Sequence, residues 1–140
     1  MTAAQLAVRA VELLPIRGPE IGTVPEPGPD RLGLVGLPTW MWTARLPETV
    51  GPVSRTASVP GLSVTATAQM QKIVWEMGNG DRVTCLSPGT VYADRFLDRM
   101  SPDCGYRYVE PGEYRVTATT TWQVTWAGGG ETGALTQTRS

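Results

Sequence analysis

The chain has no histidine, a single lysine (Lys72), a single phenylalanine (Phe96) and only two cysteines. Without histidine there is no Ser-His-Asp or Cys-His arrangement, and two cysteines alone do not make a zinc site. The Gly128, Gly129 and Gly130 run is not followed by Lys-Ser/Thr, so it is no phosphate-cradling loop. Acidic and basic residues nearly cancel, at a net charge of -1. No strong field would draw in nucleic acid or an anionic membrane, and nucleic acid is not an expected partner. No apolar run approaches the roughly 20 residues that span a bilayer, so no transmembrane segment is expected. Arg9 and Glu12 interrupt what would be the apolar part of a leader, and no small-residue cleavage site follows. The chain is therefore expected either to follow a removed signal peptide or to stay in the cytosol.

The cysteines bear on that choice. Cys85 and Cys104 flank the longest loop-like stretch, each at a strand–loop junction. A bridge between them would close a loop of about 20 residues and stabilise by about 3 kcal/mol. The expectation is this one disulfide, and with it an oxidising compartment, extracellular or in the cell envelope.

What is abundant is period-two alternation. From Glu113 to Trp126, Tyr114, Val116, Ala118, Thr120, Trp122, Val124 and Trp126 point one way. Glu113, Arg115, Thr117, Thr119, Thr121, Gln123 and Thr125 point the other, which reads as one long strand with a buried and a wet face. At about 3.3 Å per residue it would run roughly 45 Å, so it should bend, bulge or change partners.

In chain order, Thr2 and Gln5 fit a capping box ahead of Leu6, Ala10, Val11, Leu13 and Leu14, a short helix stopped by Pro15. Residues 15–29 are rich in proline and glycine and read as a linker. Residues 31–42 carry Trp40, Trp42 and several leucines, an extended aromatic arm expected to pack on the sheet, with Trp122 and Trp126 as its partners. Strands follow at 53–59, 62–68 and 72–77, the last two with Leu62, Val64, Ala66 and Ala68, then Ile73, Trp75 and Met77, inward. Asn79-Gly80 turns the chain into a strand at 82–85. Residues 86–103 form a long loop with a helical turn near 93–97. Further strands are expected at 104–109 and, after the Gly128–Gly130 hairpin, at 131–138 as a polar edge. Short antiparallel strands with regular turns indicate an all-β sandwich, with residues 1–47 forming helix, linker and arm and residues 48–140 the sandwich domain.

Two segments carry a resemblance. Trp75-Glu76-Met77-Gly78-Asn79-Gly80 resembles the W-D-F-G-D-G signature of polycystic-kidney-disease-type (PKD) domains. Tyr108-Val109-Glu110-Pro111-Gly112-Glu113-Tyr114-Arg115-Val116-Thr117 is similar to that family's Y-x-x-P-G-x-Y-x-V-T segment. The resemblance implies an immunoglobulin-like sandwich and a non-catalytic, extracellular spacer or adhesive module. Asn79 stands where the usual Asp would be, the loop between the motifs is longer, and the cysteines are additional. The segments Leu34 to Trp42 and Ser101-Pro102-Asp103-Cys104-Gly105 also look like those of a group of actinobacterial secreted or envelope proteins. That likeness supports the compartment and adds no chemistry.

The carboxylates Glu76, Asp81, Asp94, Asp98, Asp103, Glu110 and Glu113 fall at turns and on polar faces, where solvated charge is the default. Asn79 and Asp81, with Glu76, offer at most a minimal calcium cluster. No cofactor and no catalytic residue are expected. The reading is a structural or protein-interaction domain with a protein partner, whose surface would draw on Trp40, Trp42, Tyr106, Trp122 or Trp126. The alternative is a carbohydrate-binding module using exposed Trp and Tyr side chains, and exposure of Trp40 and Trp42 separates the two.

Overall fold

The structure is a computed structural model that describes residues 1–24 and 38–140. Its elements are α1 (Ala3–Glu12), β1 (Ile21–Val24), β2 (Pro38–Thr43), α2 (Pro47–Val50), β3 (Val53–Val59), β4 (Leu62–Glu76), β5 (Arg82–Cys85), a 3-10 turn (Asp94–Phe96), β6 (Gly105–Arg107), β7 (Thr117–Gly128) and β8 (Glu131–Arg139). All strand pairs are antiparallel. They form a three-stranded sheet, β1-β2-β6, and a five-stranded sheet, β3-β4-β7-β8, with β5 also on β4. The fold is an all-β sandwich with two short helices, α1 and α2, among the described residues.

β4 is the spine. The two strands expected at 62–68 and 72–77 are one strand of 15 residues. β7 pairs along nearly its whole length, while β3 takes its first half and β5 its last four residues on the other side. A register shift between Met70 and Lys72 inserts one residue. That insertion explains a change of parity in the sequence. Before it the buried positions are even (Val64, Ala66, Ala68); after it they are odd (Ile73, Trp75). A bulge that adds one residue lets both sets share one face of the sheet.

β7 starts later than the alternation suggests. Glu76↔Thr117 is its last pairing with β4, so Glu113, Tyr114, Arg115 and Val116 have no ladder partner and lie outside the strand. Period two persists there, yet a strand needs a neighbour to satisfy its backbone.

The inner face of the large sheet is covered in two portions. α1 covers the first. Thr2 caps it through the expected capping box with Gln5, and Ala3, Leu6, Ala7 and Ala10 are buried. They pack with Val53, Val64, Ala66, Ala68, Trp122 and Val124. Alanines on both surfaces let the helix backbone approach the sheet closely, while Leu6, Leu14 and Ile16 supply bulk, each contributing about 1.5–3 kcal/mol by burial. The first residues are thus part of the core of the sandwich. The second portion gathers Met41, Ile73, Trp75, Met77, Cys85, Cys104, Tyr108 and Ala118.

The linker reading of residues 15–29 fails where the chain is described. Ile21–Val24 is a strand, paired from Ile21↔Thr43 to Val24↔Trp40. Residues 25–37, including most of the arm and the rest of the proline-rich run, lie outside the described residues.

Candidate functional site: the tyrosine cluster and its hairpin

Cys85 and Cys104 are bonded at 2.02 Å, and the described residues hold no free cysteine. The loop between them is anchored at several points. Asp103 accepts hydrogen bonds from the hydroxyls of Ser87 (2.9 Å), Thr90 (3.1 Å) and Ser101 (3.1 Å). Ser101 Oγ in turn accepts from the Cys104 backbone N–H at 3.0 Å. This carboxylate, read from sequence as ordinary solvated charge, stitches the loop beside the bridge.

The loop also captures Trp40. The indole stacks on Phe96 at 5.0 Å between centroids and meets Tyr92 edge-on at 5.3 Å. Its Nε1 donates to the Arg99 carbonyl at 2.8 Å. Trp40 is 1% exposed and Trp122 0%, so neither is a surface residue. The partners expected for Trp40, Trp122 and Trp126, belong instead to the portion of the core under α1. Tyr92 and Phe96 sit in a stretch without periodicity, and no local pattern marked them. Trp42 and Trp126 are half-buried, each lying over a glycine, Gly22 and Gly133, where a Cβ would come within 2.2 Å and 2.4 Å of the indole.

Of the surface candidates, Tyr106 has the most built surroundings. Tyr106, Tyr108 and Tyr114 form a column. The first two rings meet edge-on at 4.9 Å, and the last two stack at 4.1 Å with 7° between planes. Tyr108 is buried and its hydroxyl donates to the Met77 carbonyl at 2.7 Å; the Tyr114 hydroxyl donates to the Glu110 carbonyl at 2.6 Å. Tyr106 donates to Asp81 and accepts from Asn79 Nδ2 at 2.8 Å. The hairpin carrying Asn79 and Asp81 is held by an Asx turn, Asp81 N–H to Asn79 Oδ1 at 3.0 Å. Gly78 is required at its base. It has φ 83°, and a Cβ there would lie 2.7 Å from the Arg115 carbonyl oxygen. The two resembling segments therefore meet, 75–80 with 108–114.

Beside them lies an open cleft of about 400 Å³ lined by Glu76, Gly78, Gly80, Asp81, Arg82, Arg115 and Thr117. Its two carboxylates and two guanidiniums balance, so it holds no net field for an ion. Glu76 pairs with Arg82 at 3.4 Å on the surface. Asn79 Oδ1 already accepts from the Asp81 N–H within the hairpin and one Asp81 oxygen accepts from the Tyr106 hydroxyl, which leaves the calcium candidate few free ligands. No group of three or more His, Cys, Asp or Glu gathers at metal distance among the described residues. The hydrogen bond to Asp81 raises the Tyr106 pKa, and burial pushes Tyr108 up to about 12. Both shifts keep the phenols neutral, the opposite of what a tyrosine base or nucleophile requires.

No helix among the described residues is long and apolar enough to cross a membrane. No family model, no curated protein and no solved structure matches the chain.

Proposed function

We propose that this chain is a non-catalytic structural or protein-interaction domain of the cell envelope or the extracellular space, built as a PKD-like, immunoglobulin-type sandwich. The contact between the two resembling segments supports the architecture, as does the pairing of Trp75 in β4 with Ala118 in β7. The disulfide supports the compartment.

The observation that carries the functional reading is the outer face of the large sheet. Ser54–Thr67 (2.8 Å), Thr56–Thr65 (2.7 Å) and Ser58–Ser63 (2.8 Å) are hydroxyl pairs joined across β3 and β4. The row continues through Thr67↔Thr125 and Thr121↔Thr138 into β7 and β8. No charged side chain interrupts this face across β3, residues 63–69 of β4, 119–127 of β7 and 132–138 of β8. A surface of neutral hydroxyls and amides offers many short-range hydrogen bonds and is far easier to desolvate than one of charges. It suits docking against a large partner, while the cleft offers no convergent reactive groups.

Of the two tryptophans that separate the readings, Trp40 is buried and Trp42 is half-buried against Gly22, which favours this reading over a sugar platform. Co-sedimentation with an envelope fraction tests it. Binding should be lost when that fraction is treated with protease, and weakened by Thr67→Lys with Thr125→Lys. Binding that survives protease and is competed by soluble oligosaccharide would replace this reading with the carbohydrate module.

A further inference from the structure

We propose that a second copy of this chain pairs with the first through the free edge of β8, joining the two large sheets into one. β8 ends the sheet order, and among the described residues no strand lies on its outer side. It follows β7 through a two-residue turn whose glycines both have positive φ, Gly129 at 60° and Gly130 at 77°, as a tight hairpin requires. Such a turn makes Gly128↔Glu131 the hydrogen-bonded closing pair. By alternation Thr132, Ala134, Thr136 and Thr138 then direct their backbone N–H and C=O groups to the open edge.

Natural edges are blunted by proline, inward charge or bulges. The opposite edge, β3, has such protection: Pro52 and Pro60 flank it and Arg55 sits on its inner face opposite Ala66. Nothing comparable interrupts β8 between its first and last residues.

Charge selects the occupant and the register. An antiparallel pair of β8 strands centred on Leu135 places Glu131 opposite Arg139 of the partner strand, twice by symmetry. It also sets Thr132 opposite Thr138, Gly133 opposite Gln137 and Ala134 opposite Thr136. Glu131 and Arg139 lie on the same inner face, opposite Gly128 and Thr120, and neither has an ion pair among the described residues. A one-residue slip would throw one of each charge pair to the other face.

The inner face supplies the apolar component. Leu135 lines a groove of about 320 Å³ between α1 and the end of the sheet, with Val8, Val11 and Trp126 on its walls. Val8 is 57% exposed. A two-fold axis perpendicular to the sheet keeps both helices on one side. The two Leu135 side chains then meet as a close, non-hydrogen-bonded pair, and the two grooves become continuous.

Sedimentation velocity on the full chain over a micromolar-to-millimolar series tests this, with circular dichroism confirming the fold of each variant. The wild type should show a concentration-dependent species of twice the chain mass, and Leu135→Lys should abolish it. Because Leu135 is half-buried, the charges give a second test. Glu131→Arg and Arg139→Glu should each weaken dimerisation at least about tenfold, the scale of two reversed cross-strand pairs. The double variant should restore it. A chain that stays monomeric throughout overturns the proposal. So does a dimer indifferent to Leu135→Lys and to charge reversal, or a double variant no better than the singles.

Discussion

The Tyr108 hydroxyl donates to the Met77 carbonyl at 2.7 Å across 31 residues of sequence. It joins the end of the strand that leads into the Asn79 hairpin to the start of the segment that leads into β7. Tyr108→Phe keeps the ring and its stacking on Tyr114 and removes only this bond. The carbonyl then loses its side-chain donor inside the core. The expected loss is about 1–3 kcal/mol, read by denaturant unfolding. An unchanged midpoint would show that water replaces the hydroxyl.

The same residue predicts alkaline behaviour. Burial holds the Tyr108 pKa at about 12 in the fold, against 10.0 ordinarily. The folded state keeps the proton longer than the unfolded chain does. Its contribution to stability is therefore complete below pH 10 and is lost as pH rises from 10 towards 12. In a phenolate absorbance titration of the native protein, one of the four tyrosines should ionise last, and Tyr108→Phe should remove that step. A titration curve that Tyr108→Phe leaves unchanged above pH 10 would contradict the burial.

Cys85–Cys104 spans 19 residues of sequence. Replacing both cysteines with alanine should cost about 3 kcal/mol. Mass spectrometry of the unreduced protein after alkylation should find no modified thiol. Because Asp103 also anchors this loop, Asp103→Ala combined with the cysteine replacement should lower the melting temperature more than either change alone.

Trp75 is fully buried, and its indole N–H has no hydrogen-bond partner among the described residues. Trp75→Ala should cost about 3–5 kcal/mol, the scale for truncating a large core aromatic. Trp75→Phe should cost clearly less, because it forfeits volume but no hydrogen bond. Equal losses from the two would show that the indole nitrogen is bonded.

Much of this fold could be read from local pattern. The capping box at Thr2 and Gln5, β3, β5, the turn near Asp94–Phe96, the last hairpin and the disulfide all rest on short-range chemistry: turn residues, caps and period two. The inward set along β4 was legible as well, parity change included. These features follow from how a backbone with a given side-chain order can satisfy itself nearby.

What the tertiary structure decided is everything that depends on a distant partner. The parity change between Ala68 and Ile73 suits two strands or one bulged strand, and the continuous β7 beside it makes it one. Tyr114 and Val116 alternate like strand residues, but β4 ends at Glu76 and leaves them nothing to pair with. Trp40 reads from sequence as packing on the sheet beside Trp122 and Trp126, but it is Tyr92 and Phe96, about fifty residues on, that close over it. Whether an edge such as β8 is free likewise depends on where every other strand goes. Periodicity states which side of a strand is apolar; only the assembled chain states what lies against it.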